Sequence, residues 1–352
     1  MISENFWKRK KVLITGHTGF KGSWLTILLN QLGSDVHGIS YKDEKLSLSR
    51  NIDLRKFCKS NIVDLRDREN FHKKFNEINP EIVIHLAAQS LVLKSYDDPY
   101  LTYSTNLIGL VNVLDAIRLN KNSKVVLNVT SDKCYKNTES EKGYTEEDAL
   151  GGHDPYSNSK ACSELISESY RNSYFSKDTG IACLTARAGN VIGGGDWSEN
   201  RLVPDIFKSI IKKEDLEIRR PEAIRPWQHV LEPLTGYLTL VEHAYNNPIK
   251  YSEPWNFGPE NENIKTVKDI IEEITKNINI KSVKYKNNTH FHETTTLKLN
   301  IVKAKEKLQW FPKWGFEKTI TETCNWYKSY ISEENLEKFT INQINEYLEE
   351  SK

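Results

Sequence analysis

The sequence predicts an α/β fold, a doubly wound parallel sheet with a smaller second α/β domain, and three observations carry this prediction. Short apolar runs alternate with amphipathic segments of helical length through residues 1–190. A glycine-rich turn stands between the first apolar run and the first amphipathic segment. Beyond residue 190, prolines and glycines become frequent and the remaining elements are shorter and mixed. Apolar strands that alternate with helices are typical of a parallel sheet covered on both faces.

Each predicted strand is a short apolar run bounded by charged, polar or turn-forming residues. In chain order these strands are KVLIT (11–15), DVHGIS (35–40), NIVD (61–64), EIVIHLA (81–87), KVVLNVTS (124–131) and ACLTAR (182–187). The first helix follows KVLIT and repeats its leucines with helical period up to Gly33. A second helix is predicted in 106–120, with an apolar face made of Leu107, Leu110, Val111 and Leu114. A third covers 157–170.

Composition and charge exclude several classes of partner. The chain has 49 basic and 48 acidic residues and a formal net charge of +1, which gives no electrostatic reason to expect nucleic acid or an anionic membrane. The five cysteines are scattered and form no CxxC pair, as expected of reduced thiols. No segment approaches the roughly 18 apolar residues of a membrane span. We therefore expect a cytoplasmic protein that acts on a small molecule.

The turn TGHTGFKG (15–22) carries glycines at 16, 19 and 22, between a predicted strand and a predicted helix. In that context such a turn lets the backbone approach a pyrophosphate at the helix N-terminus, as in a Rossmann dinucleotide site. After the second strand, Ser40 or Asp43 is available to the adenosine ribose, which favours NAD over NADP. Residues after the third and fourth strands are candidate adenine neighbours: Asp64, Leu65, Ala87 and Ala88.

Two further groups of residues carry candidate chemistry. Tyr156 and Lys160 are four residues apart, so they share one helix face, and a nearby ammonium is expected to lower the tyrosine pKa towards a useful range. A tyrosine so tuned can remove a hydroxyl proton while hydride leaves the same carbon. Ser131, Asp132 and Lys133 stand at the end of a predicted strand. They are either a solvated ion pair or an acid and a base, and the second alternative requires a closed, dry pocket.

These motifs together resemble the extended short-chain dehydrogenase/reductase family and, within its sugar-nucleotide dehydratase branch, the CDP-glucose 4,6-dehydratases. The segments that carry the resemblance are GHTGFKGSW, TSDKCY, LGGHDPYSNSK, ARAGNVIGGGDW, RLVPD, IRPWQHVLEP and LKLNIVKAKEKLQWFPKW. The resemblance implies a hydro-lyase that dehydrates CDP-glucose with NAD in deoxysugar and O-antigen synthesis. It also implies an NAD-binding domain of residues 1–190, with a return segment of about 228–258, and a nucleotide-sugar domain of 191–227 and 259–352.

The resemblance also assigns roles to residues. It implies that Tyr156 is the base at sugar C4, that Ser131 helps to hold the 4-hydroxyl, and that Asp132 is the acid and Lys133 the base of the elimination. The substrate-binding residues that it implies are Gln89, Asn190, Arg201, Arg219 and Arg225. The cofactor-binding residues are Gly16, Thr18, Gly19, Phe20, Lys21, Gly22, Ser40, Asp64, Leu65, Ala87, Ala88, Gln89, Asn106, Thr130, Tyr156 and Lys160. Helices near 99–120 and 155–175 are expected to pair subunits into a homodimer or a dimer of dimers.

Several alternatives stay open at this point. The substrate of a dehydratase could instead be a UDP-N-acetylhexosamine or a UDP- or GDP-hexose. A 4-epimerase or reductase would need Tyr156 but not Asp132 and Lys133, and a binding protein without activity would need neither. His290 and His292 lack a third ligand at suitable spacing, so no metal is expected. Four tryptophans are interpreted as packing residues: Trp24, Trp197, Trp227 and Trp255.

Overall fold

The computed structural model of the protein describes residues 2–42, 47–120, 122–140, 142–175, 179–218, 220–260, 264–285 and 297–350. Its centre is a seven-stranded parallel sheet. The strands of this sheet are β1 (Lys11–Thr15), β2 (Asp35–Ser40), β3 (Lys59–Ile62), β4 (Ile82–His85), β5 (Val125–Val129), β6 (Ala182–Ala188) and β11 (Pro254–Phe257). Their order is β3-β2-β1-β4-β5-β6-β11, so the chain changes direction across the sheet between β1 and β4. This is the doubly wound Rossmann arrangement that the sequence predicts.

Helices cover both faces of the sheet, because successive strand side chains point to opposite sides. Leu13 packs into one apolar core, whereas its neighbours Val12 and Ile14 pack into the other. The helices, in chain order, are α1 (Glu4–Trp7), α2 (Phe20–Gln31), α3 (Leu48–Asn51), α4 (Arg68–Ile78), α5 (Val92–Asp97), α6 (Pro99–Tyr103), α7 (Gly109–Leu119), α8 (Pro155–Ser173), α9 (Leu202–Lys212), α10 (Leu231–Asn246), α11 (Pro248–Tyr251), α12 (Val267–Asn277), α13 (Val302–Leu308), α14 (Phe316–Ile331) and α15 (Leu336–Glu349).

Six short strands form two-stranded ladders outside the central sheet. The pairs are β7 (Val191–Ile192) with β10 (Gln228–His229), β8 (Leu216–Ile218) with β13 (Val283–Tyr285), and β9 (Ile224–Pro226) with β12 (Ile264–Thr266). Because β7 follows β6 directly, these ladders continue from the carboxyl edge of the sheet. They therefore carry the part of the chain that faces the strand ends.

Two of the four residues predicted on the apolar face of 106–120, Leu107 and Val111, are only partly buried. The buried stripe of α7 is Leu110, Val113, Leu114 and Ile117. Residues Ser104–Ile108 form a π-helical turn, which joins α6 to α7. A π turn holds one more residue than an α turn and so rotates the helix that follows it relative to the helix before it.

The C-terminal helix α15 packs against the rest of the protein. Ile344 and Tyr347 of α15 are fully buried, and α15 contacts α2. Because α15 lies against it, α2 is apolar and buried on all sides, from Gly22 to Leu29. The four tryptophans interpreted as packing residues are all buried.

Candidate active site

A cleft of about 2040 Å³ opens at the carboxyl ends of the central strands. Its floor is lined by residues that follow β1, β4 and β5, among them Gly16, Ala87 and Thr130. Arg201 and Arg225, which come after β6, line the same cleft from the other side. Pockets for one small ligand typically occupy roughly 300–1,000 Å³. The cleft is therefore large enough for two ligands side by side.

The glycine turn forms a cradle in which two positions, Gly16 and Gly22, have room only for glycine. Gly16 has a φ of +76°, and a Cβ on it would lie 2.7 Å from the Ala87 nitrogen. A Cβ on Gly22 would lie 2.1 Å from the Gly16 carbonyl oxygen. Gly19 begins α2 without a side-chain cap, so the first amides of this helix are left for another acceptor. These features fit a pyrophosphate at the start of α2, with Thr18, Phe20 and Lys21 around it.

The side of the cleft next to β2 and β3 contains the residues predicted to lie near the adenosine. The Ser40 hydroxyl accepts a hydrogen bond from the Thr18 amide at 3.2 Å and contacts His17 Nδ1 at 2.8 Å. Ser40 thus holds the glycine turn in place. Asp64 forms an ion pair with Arg66, with 2.6 Å between Oδ2 and Nη2. Leu65 is buried and lines the cleft, and Asp43 lies outside the described residues.

Gln89 and Asn106 brace the loop that follows β4. The Gln89 amide nitrogen Nε2 donates to Thr102 Oγ1 at 2.9 Å, and its Oε1 accepts from the Leu91 amide at 2.8 Å. Asn106, on the π turn, accepts from the Gln89 backbone amide and donates to Ser159 Oγ. Both side chains are therefore occupied within the protein. This arrangement favours a role in shaping the loop over direct contact with a ligand.

Helix α8 carries the Tyr156–Lys160 pair, and the structure corrects the predicted tyrosine pKa. Burial raises the pKa of Tyr156 to about 12, and the Ser131 hydroxyl and Arg201 oppose that rise most strongly. Lys160 donates instead to the Val129 carbonyl at 3.0 Å, and burial lowers its own pKa to about 8. The expected lowering by Lys160 does not appear, because its ammonium is bonded to the end of β5.

Asp132 lies in the dry environment that an acid requires. Its side chain is 2% exposed, its Oδ1 accepts from the Ser131 hydroxyl at 3.0 Å, and its Oδ2 is buried without a hydrogen-bond partner. Burial raises the pKa of Asp132, against the opposing charge of Lys133. A Cβ on Gly189 would lie 3.2 Å from this unpartnered Oδ2 and 2.8 Å from Pro226 Cγ, so glycine keeps the space beside the oxygen open.

Lys133 lines the same cleft but is only partly buried. Its backbone amide donates to Ser131 Oγ at 3.2 Å, which fixes the short 3-10 helix Asp132–Cys134 at the end of β5. The dry surroundings predicted for both groups are therefore found at Asp132 alone. The neighbouring side chains nevertheless open onto the cleft that the glycine turn lines.

Sequence reasoning missed a buried ion pair behind helix α8. Glu164 and Arg187 are both 3% exposed and form a salt bridge of 2.9 Å. Glu164 also accepts hydrogen bonds from Thr130 and Thr185, and Arg187 donates to the Tyr135 hydroxyl at 2.8 Å. The pair thereby joins α8 to the ends of β5 and β6. Its signal was available, because Glu164 lies one helical turn after Lys160 on the same face.

Lys21, which was predicted to line the cofactor site, and Tyr237, which sequence reasoning missed, both lie within range of the charge of Asp132. Burial lowers the pKa of Lys21 to about 7, with further lowering by Arg201 and Lys160 and an opposing effect of Asp132. Tyr237 of α10 lies beneath Lys21, whose Nζ is 6.0 Å from the ring centroid. The Tyr237 hydroxyl is buried without a partner, and the charge of Asp132 adds to burial in raising its pKa. No motif marks Tyr237 in the sequence.

The predicted nucleotide-sugar residues converge on the outer wall of the cleft. The charge of Arg225 opposes the rise in the pKa of Asp132, and that of Arg201 opposes the rise at Tyr156, so both guanidinium groups lie near these residues. Arg201 also pairs with Asp196 at 3.1 Å. Asn190 lines the cleft just after β6. Arg219 lies outside the described residues.

Within the described ranges, no group of three or more His, Cys, Asp or Glu is arranged to hold a metal ion. His290 and His292 lie outside these ranges. No helix in the described part of the chain is both long enough and apolar enough to cross a membrane.

A doubly wound sheet whose cleft joins a glycine turn to a Tyr-x-x-x-Lys pair defines the extended short-chain dehydrogenase/reductase class. The family model described as GDP-mannose 4,6 dehydratase matches residues 13–323, and the chain belongs to that family. It is 44% identical to a CDP-glucose 4,6-dehydratase of Salmonella typhimurium (strain LT2), over 99% of each chain. It is 26% identical to dTDP-glucose 4,6-dehydratase 1 of Escherichia coli (strain K12), over 91% of this chain and 93% of the relative.

Solved structures of similar shape include two in complex with a ligand. One is a dTDP-glucose 4,6-dehydratase of Bacillus anthracis in complex with NAD, with a TM-score of 0.75 and 22% identity over 91% of this chain and 97% of that one. The other is a UDP-glucose 4-epimerase of Thermotoga maritima with UDP-glucose, with a TM-score of 0.79 and 22% identity over 91% and 99%. These likenesses establish the extended fold.

Proposed function

We propose that the protein is a hydro-lyase that converts CDP-D-glucose to CDP-4-dehydro-6-deoxy-D-glucose with NAD as its cofactor. The observation that carries the proposal is the buried Asp132 carboxyl, which stands next to Lys133 in the chain, accepts from the Ser131 hydroxyl and has one unpartnered oxygen. An oxidation at C4 alone needs only Tyr156, so the additional acid and base support an elimination. Identity of 44% over the whole length to a CDP-glucose 4,6-dehydratase supports the choice of sugar nucleotide.

The chain's own residues divide the proton transfers among them. Bound NAD supplies the oxidant that takes hydride from sugar C4 and returns it to C6. Tyr156, as the phenolate, takes the proton of the 4-hydroxyl as hydride leaves the same carbon. The ketone that results at C4 makes the neighbouring C5 hydrogen acidic. The Lys133 amine removes the C5 proton while the Asp132 carboxyl protonates the 6-hydroxyl, which leaves as water. Lys133 then returns a proton to C5.

The residues present fit the cofactor and the sugar nucleotide. The Gly16–Gly22 cradle and the uncapped start of α2 suit a pyrophosphate, and a Cβ at either glycine would fill that space. We infer that Thr18, Phe20 and Lys21 complete this part of the site. Arg201 and Arg225 supply guanidinium groups for the second diphosphate, beside Asn190.

A 4-epimerase is the second candidate, because the fold is equally similar to that of a UDP-glucose 4-epimerase. A 4-epimerase does not break bonds at C5 or C6 of the sugar, so it does not require a buried carboxyl beside an amine there. A dehydratase of a UDP- or GDP-linked sugar is the third candidate. It would keep the same catalytic residues and differ at the nucleotide end of the cleft.

One experiment separates these candidates. Purified protein is incubated with CDP-glucose, UDP-glucose and UDP-N-acetylglucosamine in deuterated water, and the products are identified by NMR. We expect a 4-keto-6-deoxy sugar from CDP-glucose, with solvent deuterium at C5 and no net reduction of NAD. An epimerised sugar, or no product from CDP-glucose, contradicts the proposal. Dehydration of UDP-glucose in preference would move the assignment to the third candidate.

We further infer a cytoplasmic homodimer, or a dimer of dimers, that acts in deoxysugar synthesis. Five free thiols support a reducing compartment. Tyr100 of α6, Ile108 of the π turn and Leu165 of α8 are exposed apolar residues on the helices expected to pair subunits. Light scattering on a Leu165→Glu variant tests this interface, and an unchanged mass relative to the wild type would contradict it. In the division that we infer, residues 1–190 and 228–258 bind NAD and the rest binds the sugar nucleotide.

A further inference from the structure

The acid and the base of the proposed reaction lie in the short segment 131–134, and this inference rests on that reaction. Both groups act on the sugar that Tyr156 oxidises, so they must keep a fixed place relative to it. Tyr156 belongs to α8, whereas Asp132 and Lys133 follow β5. Lys133 is only partly buried, so packing around its side chain fixes it incompletely. The contacts that join the segment to α8 therefore determine where the base stands.

The residues on either side of the segment, Thr130 and Tyr135, are bonded to the two members of one buried ion pair. The Thr130 hydroxyl donates to Glu164 Oε1. The Tyr135 hydroxyl accepts from Arg187 Nη1 at 2.8 Å. Glu164 and Arg187 are in turn 2.9 Å apart and both almost fully buried. A single ion pair thus holds the chain immediately before and immediately after the segment.

Further hydrogen bonds fix the pair and its partners to the central sheet. Glu164 Oε2 accepts from Thr185 Oγ1 of β6 at 2.6 Å, and Arg187 is itself a residue of β6. The Tyr135 hydroxyl donates to Asn256 Oδ1 of β11 at 2.7 Å. A tyrosine hydroxyl has one proton to donate, so its other contact, with Arg187, is accepting. The loss of this hydroxyl would remove both bonds at once.

The same face of α8 attaches to the end of β5 at a second point. Lys160, one turn before Glu164, donates to the Val129 carbonyl at 3.0 Å. α8 therefore holds both residues that directly precede the segment, Val129 and Thr130. Stability alone is a weak reason for an ion pair here, because its attraction roughly offsets the cost of removing two charges from water. Apolar side chains would fill the same space but would lack the directional bonds that fix the two ends of the segment.

We propose that Glu164 and Arg187 are positioning residues for the elimination. Acting through Thr130 and Tyr135, they hold Lys133 where its amine reaches C5 of the sugar. Both lie behind the wall of the cleft and act on the base at a distance. The oxidation at C4 uses a tyrosine of α8 itself and depends less on where the segment stands. A loosened pair therefore slows proton removal from C5 more than hydride removal from C4.

Tyr135→Phe tests this role, because it removes the hydroxyl next to the segment and leaves the ion pair in place. We expect elimination to slow about ten-fold, since a misplacement of about 1 Å can cost about 100-fold in rate. Reduced cofactor should then accumulate during steady turnover of CDP-glucose and is followed by its near-ultraviolet absorbance. Deuterium at C5 should slow the variant more than it slows the wild type, and deuterium at C4 should slow it less.

Tyr144→Phe is the matched control. The Tyr144 ring stacks on that of Tyr135 with centroids 5.0 Å apart, but its hydroxyl donates to Asn137 Oδ1 at 2.8 Å, away from the ion pair. This variant should keep the wild-type level of reduced cofactor and both isotope effects. A purely structural role predicts that Tyr135→Phe behaves in the same way, with a lower free energy of unfolding and unchanged isotope effects. That result overturns the positioning role.

The other end of the segment gives a second test, with rescue by a conservative change. Thr130→Val removes the hydroxyl bonded to Glu164 and should also raise the level of reduced cofactor during turnover. Thr130→Ser keeps the hydroxyl and should return that level towards the wild type. Equal levels in the two Thr130 variants overturn the positioning role. If the wild-type protein makes no 4-keto-6-deoxy product from CDP-glucose, the proposed function fails instead, so the two failures are distinguishable.

Discussion

Glu232, on the buried side of α10, should make the protein less stable as pH rises from acid to neutral. Its carboxylate is fully buried and accepts from the Trp314 amide at 2.7 Å and the Tyr347 hydroxyl at 2.6 Å. Burial nevertheless raises its pKa from the usual 4.5 to about 7. The folded protein thus holds this proton more tightly than the unfolded chain between these two pH values. Unfolding releases the proton there, so the contribution of Glu232 to folding stability falls as pH rises through this window and is constant above it.

The size of the effect follows from the difference between the two pKa values. At about 1.4 kcal/mol per pKa unit, the whole window corresponds to about 3 kcal/mol, of which about 2.5 kcal/mol falls between about pH 5 and about pH 8. Glu232→Gln removes this titration while its amide oxygen can still accept from the Trp314 amide. We therefore expect that, as pH rises over that range, the free energy of unfolding of the variant increases by about 2.5 kcal/mol relative to that of the wild type.

Urea unfolding followed by tryptophan fluorescence at both pH values measures this gain. Glu349→Gln is a matched control, because Glu349 is an exposed residue on the same helix as Tyr347. The control should follow the wild type at both pH values. A Glu232→Gln variant with the same pH dependence as the wild type would refute the reasoning and place the folded-state pKa of Glu232 near its ordinary value.

Three further predictions concern the cleft and its support. The Lys133→Met variant should bind NAD normally but stop before elimination, so that reduced cofactor accumulates on addition of CDP-glucose. The control variant Lys136→Met, at an exposed residue, should turn over normally. Normal turnover of Lys133→Met would show that Lys133 is not the base. Arg187→Met leaves the Glu164 carboxylate buried without its ion-pair partner, and should lower the free energy of unfolding by about 3–5 kcal/mol in urea titrations. The double variant Arg187→Met with Glu164→Gln should lose less stability, because it has no unpaired buried charge. Lys21→Met should raise the melting temperature of the ligand-free protein, because it removes an ammonium that burial destabilises. Calorimetry should show NAD binding about ten-fold weaker than in the wild type. Unchanged NAD affinity would argue against a place for Lys21 in the cofactor site.

The central strands were predictable where side-chain pattern and burial agree. β1 and β2 have the predicted bounds, because each is an apolar run that both faces of the sheet bury. β3 is different: it covers Lys59–Ile62 rather than 61–64, and its residues are mostly exposed. At this edge of the sheet, backbone pairing with β2 sets the strand, and side-chain hydrophobicity carries little information.

The site was predictable where its residues stand next to one another in the chain. Ser131, Asp132 and Lys133 share one strand end, and the glycines share one turn, so local spacing was sufficient. Tyr237 and Arg187 reach the same region only through the packing of α10 and β6 against β5. Their place depends on tertiary contacts between distant segments, which a single sequence does not reveal. The predicted lowering of the Tyr156 pKa was wrong for a related reason. The Lys160 ammonium donates to a backbone carbonyl on another element, which the sequence does not reveal.

The extra residue between α6 and α7 gives this protein a simple means of reshaping its binding surface. Deleting one residue from Ser104–Ile108 would restore a regular helix and turn α6 by about 100° relative to α7. Leu101 and Thr105, which face the cleft, would swing away, and the 3.1 Å bond from the Tyr103 hydroxyl to Asn158 would break. The bonds from Asn106 of this turn to Gln89 and Ser159 would be disturbed as well. A change in chain length at this one point would thus alter one wall of the cleft and the loop that follows β4.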